Sequence, residues 1–299
     1  MAAAQQWRGK TAGGTFGQKF LFFALKHIKA RHFYIVLYPI IPFCLLFARK
    51  TNRSIYQYFH VILGQGKWDA FKATVRTAFT FGKVVIDKFA LLAGRSEQFE
   101  VTIQNNEVFE ELLKQSKGFI LAGSHIGNFE LLGHCLKQDV KPINSIIYGG
   151  ENAVMQARRD STFEENNVRL IPVTQDMAHL FALKNALDNG EIVTILCDRL
   201  FGSPKKMSID FLGHAADFPI GTFRMAVQLE VPVVSVFLMK EKGSRYTGHL
   251  VPLNIDPNAT TVTEKVKSLL EQYVKSMEDT LKEYPHQWFN LYDFWRLNN

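Results

Sequence analysis

His125 and Glu130 stand five residues apart in GSHIGNFELLGHCL, a short polar hinge between an apolar run and an amphipathic one. An imidazole beside a carboxylate is a proton-transfer unit. The carboxylate accepts the proton on one ring nitrogen and fixes the tautomer, which leaves the other nitrogen to take a proton from an incoming hydroxyl. On an unbroken helix a five-residue step turns about 140°, at 3.6 residues per turn, and the two groups could not meet. They meet if Gly127-Asn128 forms a turn and N-cap, with His125 in the loop and Glu130 in the first helical turn, where the macrodipole favours negative charge. A loop histidine and an ordinary first-turn carboxylate with no common task would show the same spacing.

Two further stretches add to the constellation. EIVTILCDRLFG ends in Asp198-Arg199, a fixed cation at the end of a buried strand, and ADFPIGTFRMAV offers Gly221 and Thr222 where a loop enters a helix whose free amides can hold an anion. Arg158 and Arg159, after NSIIYGGEN, either face the same pocket or lie on a solvated helix face, and Lys205 and Lys206 read as a solvated turn. The candidate catalytic residues are therefore His125 and Glu130. Asn128, Arg158, Asp198, Arg199, Gly221 and Thr222 are the candidates for substrate binding. Cys44, Cys135 and Cys197 are far apart in apolar surroundings, with no C-x-x-C pair, so they read as reduced buried thiols and no metal site is expected.

These residues need a frame. Beyond Gly94 short β-branched runs alternate with amphipathic ones, the pattern of an α/β domain. Strands are expected at 99–103, 118–122, 143–147, 169–173, 192–197, 233–237 and 249–253, with helices at 107–115, 128–136, 153–165, 177–189, 221–229 and 262–283. The fold class is α/β, a mixed sheet flanked by helices behind a mostly helical N-terminal region. His125 and Asp198 then fall at the carboxyl ends of strands, the edge at which open α/β sheets bind ligands. Residues 1–95 are expected to form a helical, membrane-associating region and residues 96–299 the catalytic domain.

The N-terminal third explains the membrane. FYIVLYPIIPFCLLFA is a sixteen-residue apolar run flanked by Arg31, His32, Arg49 and Lys50. It is shorter than the roughly 20 residues of a clean span and carries two prolines, so a segment lying in the interface fits better, with a helical hairpin packed on the domain as the alternative. The opening MAAAQQWRGKTAGG lacks the order of a secretory signal and is expected to stay on the chain. With 35 Lys+Arg against 28 Asp+Glu the chain carries +7, which favours anionic membrane surfaces, phosphorylated ligands or an acidic carrier protein. Nucleic acid is not expected, because no helix-turn-helix, zinc-knuckle or RNP-type signature accompanies the charge.

The ordered set His125-x4-Glu130, Asp198-Arg199, Phe218–Thr222 and VPVVSVF resembles the four motif blocks of the glycerolipid and lysophospholipid acyltransferase superfamily. Within it the chain is most similar to the bacterial lipid A lauroyl/myristoyl acyltransferase family, with PHQWFNLYDFW similar to the aromatic tail of those enzymes. The resemblance implies a glycerolipid acyltransferase-like fold in which His125 deprotonates an acceptor hydroxyl for attack on an acyl thioester and Glu130 orients it. Arg199, buttressed by Asp198, would hold a phosphate. It further implies acyl carrier protein or coenzyme A as donor co-substrate, no other cofactor, a membrane lipid as acceptor, and a peripheral or monotopic place on the cytoplasmic face of the inner membrane. The chain departs from those enzymes in Arg199, where they usually carry Gln or His. WRGKTAGGTFGQK is closer to relatives associated with aryl-polyene and other specialised lipids. Two other readings compete: a non-enzymatic lipid-binding protein, and a hydrolase, for which the chain offers neither a G-x-S-x-G elbow nor an evident Cys–His pair.

Overall fold

The apolar run after Gly118 becomes the central strand of a seven-stranded sheet, and all five of its residues are buried. The computed structural model describes residues 14–135, 140–147, 167–174, 178–200 and 205–297. Its helices are α1 (Gly14–His27), α2 (Ala30–Phe33), α3 (Leu37–Phe47), α4 (Arg49–Gln57), α5 (Lys67–Leu92), α6 (Asn106–Lys114), α7 (Phe129–Cys135), α8 (Ala178–Asp188), α9 (Gly221–Leu229) and α10 (Val262–Glu283). Its strands are β1 (Glu100–Gln104), β2 (Phe119–Gly123), β3 (Ile143–Ile147), β4 (Val168–Pro172), β5 (Ile192–Leu196), β6 (Lys206–Phe211), β7 (His214–Pro219), β8 (Val233–Lys240) and β9 (Arg245–Leu253).

Strand order is β1-β9-β8-β2-β5-β3-β4, parallel from β8 through β4, with β9 antiparallel to β8 and β1 parallel to β9. The burial pattern follows from position. β2 and β8, flanked on both edges and covered on both faces, are buried along their whole length, whereas the edge strand β1 alternates with Glu100, Thr102 and Gln104 exposed. The mixed sheet with flanking helices is the expected fold class. The expected helix at 153–165 lies outside the described residues.

The sequence pattern missed a second sheet, the β6–β7 hairpin. Met207, Ile209 and Phe211 do alternate, but the two-residue turn is Leu212-Gly213, with φ of 56° and 78°. Such hairpin turns favour Asn-Gly or Asp-Gly, so a leucine hides the signal. One tertiary and one local bond hold it instead: Leu212 N–H donates to Glu278 Oε1 at 2.7 Å and Gly213 N–H to Asp210 Oδ1 at 3.1 Å. Lys206, read as part of a turn, starts β6 and pairs with Asp217 across the hairpin.

The N-terminal helices share the sheet's core. Tyr58, Phe59, Ala70 and Ala73 belong to the same buried cluster as Ile120, Phe211 and Trp288, so the core is continuous across residue 95. Ala30–Phe47 forms one helical rod with a 3-10 turn at Tyr34–Val36, long and apolar enough by length and composition to cross a membrane. Pro39 falls in the first turn of α3, where no amide is missed, and Pro42 lies inside it. Leu37 and Ile41 are buried, while Ile35, Tyr38, Phe43, Leu46 and Phe47 are 61–70% exposed. The rod crosses α5 at Gly82, where an added Cβ would lie 2.6 Å from Leu37.

Candidate active site

Parallel pairing of β2 with β5 sets Gly123 opposite Leu196. Two residues on along each strand come His125 and Asp198, so the register alone brings them level at the carboxyl edge. There the Asp198 carboxylate holds His125 twice, accepting from its backbone N–H at 3.0 Å on Oδ2 and lying 2.8 Å from ring Nδ1 on Oδ1. Trp288 Nε1 donates to Oδ2 at 3.4 Å. Asp198 is 1% exposed. Burial alone would raise its pKa, but the charge and hydrogen bonds of His125, with Arg199 beside it, hold the carboxyl at about 2. Asp198 is thus ionised throughout the neutral range, and the His125 side chain keeps 13% exposure.

The expected His125–Glu130 pair does not form. Glu130 does sit in the first turn of α7, but there it points back at α5, where Lys88 Nζ donates to its Oε1 at 2.6 Å; its Oε2 is buried without a hydrogen bond. The loop that frees His125 from helical spacing swings its ring toward β5, away from Glu130. The carboxylate on Nδ1 is Asp198, expected only as a buttress for Arg199.

Asn128 caps α7 as its position suggested, accepting from Leu131 N–H at 3.2 Å. Its Nδ2 donates to Tyr246 Oη at 3.2 Å, and the residue is 2% exposed. Both ends of the amide are therefore used internally, and Asn128 shapes the hinge instead of touching substrate. Gly127 is fixed beside it. Its φ is 68°, and a Cβ would stand 2.1 Å from the Leu238 carbonyl oxygen, so no other residue fits that turn.

The aromatic tail does more than its sequence indicated. The chain leaving the 3-10 turn Pro285–Gln287 runs along the hinge as a strap, with Ile126 bridged to Trp288, Gly127 N–H donating to the Gln287 carbonyl at 2.8 Å and Phe289 N–H to the His125 carbonyl at 2.9 Å. Gln287 in turn exchanges two side-chain hydrogen bonds, each 2.8 Å, with the backbone of Lys240 at the end of β8. The only sequence signal for this strap was the unusual density of aromatic residues.

Arg199 is half committed to the same strap. Its Nη2 donates to the Phe289 carbonyl at 3.1 Å and its guanidinium lies 5.5 Å from the Tyr292 ring centroid, while Nε is buried without a hydrogen bond. It borders a cavity of about 430 Å³ with Leu200, Tyr292, Phe294, Trp295 and Arg296. A lysine keeps the charge but cannot both stack and reach the carbonyl through a planar fork. Arg199→Lys is expected to cost about 1–2 kcal/mol of stability and to raise KM more than it lowers kcat, read from melts and steady-state kinetics. Unchanged midpoint and KM would make Arg199 an ordinary surface cation.

Of the remaining candidates, Gly221 is exposed at the start of α9, with open space where a Cβ would go. Thr222 lies beside Cys197, whose thiol donates to the Ile195 carbonyl at 3.5 Å. Burial first, with the Asp198 charge, pushes the Cys197 thiol up to about 12, far from a thiolate nucleophile. Ser124 Oγ is likewise occupied, accepting from Ile126 N–H at 3.1 Å. Arg158 lies outside the described residues.

The family model for bacterial lipid A biosynthesis acyltransferases matches residues 69–297. No curated protein matches the sequence. Among solved structures, the 1-acyl-sn-glycerophosphate (LPA) acyltransferase PlsC from Thermotoga maritima is similar at 16% identity and a TM-score of 0.37, over 80% of this chain and 98% of that one. The matched span begins in α5 and ends in the aromatic tail, so it contains Lys88, His125, Glu130, Asp198 and Trp288 together. The chain belongs to the bacterial lipid A biosynthesis acyltransferase family and is an acyltransferase.

Proposed function

We propose that the enzyme moves a fatty acyl group from an acyl thioester, on acyl carrier protein or coenzyme A, to a hydroxyl of a membrane lipid, lipid A-like or another specialised bacterial lipid. The observation that carries this reading is the His125–Asp198 pair at the ends of adjacent parallel strands. With its Nδ1 proton donated to Asp198, His125 carries its basic lone pair on Nε2, and Nε2 takes the proton of the acceptor hydroxyl. The oxygen then attacks the thioester carbonyl, forming the C–O bond. As the tetrahedral intermediate collapses the C–S bond breaks, and the leaving sulfur takes the proton from the His125 imidazolium. Asp198 stabilises that imidazolium while remaining ionised. Glu130 acts further out, holding α7 to α5 through Lys88.

The exposed apolar side of the Ala30–Phe47 rod, flanked by Lys26, Lys29, Arg31, Arg49, Lys50 and Arg53, supports work at an anionic bilayer surface, which we assign to the cytoplasmic face of the inner membrane. The acyl chains favour this arrangement: each CH₂ is worth about 0.8 kcal/mol buried, so the site must come to the lipid.

The test is acyl transfer by purified protein, given carrier-protein and coenzyme A thioesters of defined chain length and a bacterial lipid extract, read by mass spectrometry. One lipid class should gain one acyl chain, and the same class should lose it in cells lacking the gene. Free fatty acid without acylated lipid would favour the hydrolase, and lipid binding without thioester consumption the binding protein.

A further inference from the structure

A second cavity, of about 420 Å³, opens between α5, the β8–β9 turn and the residues after α10, and neither His125 nor Asp198 lines it. Arg76 and Lys83 of α5 and Lys242 of the turn converge there, and none of the three has an ion pair among the described residues. Lys240 also lines it but is bound to Asp87. Glu241 and Glu283 are present as well, Glu241 accepting from Tyr284 Oη at 2.6 Å, so the unpaired cations outnumber the carboxylates. His286 adds no charge at neutral pH: burial and the Arg76 charge hold its pKa down at about 4.

The membrane-facing rod runs along the rim. Leu37 packs on Gly82, the Tyr38 ring lies 5.4 Å from Phe79 of the cavity wall, and Tyr34 is 5.9 Å below Lys83 with its hydroxyl 3.4 Å from the Gly243 carbonyl. Ile35 and Tyr38 of the same rod are 70% and 69% exposed. Cations gathered in a recess, with outward apolar side chains on its edge, match a lipid: phosphate in the recess, acyl chains along the rod.

We propose that this cavity binds the phosphate of an anionic bilayer phospholipid, seating the enzyme on the membrane at a point separate from the reacting centre. The inference rests on the membrane reading above but is tested without acyl transfer, so its failure and the failure of the reaction are distinguishable. Full-length protein is sedimented with acceptor-free vesicles of phosphatidylcholine alone or with phosphatidylglycerol. R76Q/K242Q should weaken binding to the anionic vesicles about 25-fold, about five-fold per cation, equivalent to about 1 kcal/mol each, without lowering the melting temperature. K267Q/K275Q, which removes the same charge from the exposed side of α10, should change it less than about two-fold by the same surface electrostatics. Wild-type binding by R76Q/K242Q, or equal losses in both variants, would overturn the proposal. The same holds if R76Q/K242Q leaves vesicle binding intact and raises acceptor KM in neutral detergent, since the phosphate would then be the acceptor's own.

Discussion

His125→Ala is expected to abolish acyl transfer in a protein that still folds, with Asp198→Asn falling nearly as far and Glu130→Gln much less. Losing a general base forfeits about 10²–10⁴ in rate, and His125 sits in a hinge where its ring contributes little packing beyond the edge of Phe129, 5.3 Å away. Asparagine at 198 turns an acceptor of three donors into a mixed group. If its amide nitrogen faces Nδ1, the ring must carry its proton on Nε2 and has no lone pair for the hydroxyl. Glu130→Gln only weakens a half-buried ion pair with Lys88, whose two side chains are each 20% exposed. The measurement is kcat beside a thermal melt for each variant. Glu130→Gln as damaging as Asp198→Asn in folded protein would restore the role first expected of Glu130. The Asp198 carboxyl is depressed to about 2, so the stability it adds is present above its ordinary value near 3.8 and is lost only as pH falls toward 2. Loss of rate at milder pH belongs to another group.

The difference between Glu130 and Asp198 marks the limit of a local reading. Helix and strand periods, the Gly-Asn hinge and the N-cap are written within a few residues, and α9 and α10 begin and end where the pattern put them. The partner of His125 is 73 residues away, and it is identified only by knowing that β2 lies beside β5. Strand order is a property of the packed chain, decided by which apolar faces cover one another, and no spacing within a motif encodes it. The same holds for Gln287 and Trp288, which act on the hinge from the far end of the chain. His125 and Asp198 were nonetheless both legible as strand-end residues, because a buried apolar run ending in a polar residue marks the sheet edge whatever its neighbour.

Asp87→Ala should cost about 3–5 kcal/mol of stability, the largest loss expected of any single substitution outside the hinge. Asp87 is fully buried in α5, and its Oδ2 accepts from Lys240 Nζ at 2.6 Å and from Tyr246 Oη, its Oδ1 from Tyr34 Oη at 2.7 Å. Removing the carboxylate leaves a buried ammonium, 4% exposed, with no counter-charge and only the Tyr34 hydroxyl and the Gly243 carbonyl as partners, and it takes an acceptor from each of two phenols. Burial lowers the Lys240 pKa, and the Asp87 charge and hydrogen bond restore it only in part. Two consequences separate this account from a simple count of lost hydrogen bonds. Lys240→Met should be milder than Asp87→Ala, because the remaining carboxylate keeps both tyrosine donors. The double variant Asp87→Leu, Lys240→Met should be more stable than the sum of its singles, because both desolvation costs vanish together. Urea melts decide it, and a loss under about 1 kcal/mol for Asp87→Ala would mean that water reaches Lys240. The damage should also reach catalysis, since Tyr246 accepts from Asn128 and the Lys240 backbone holds Gln287, so the same buried pair anchors both sides of the loop that carries His125.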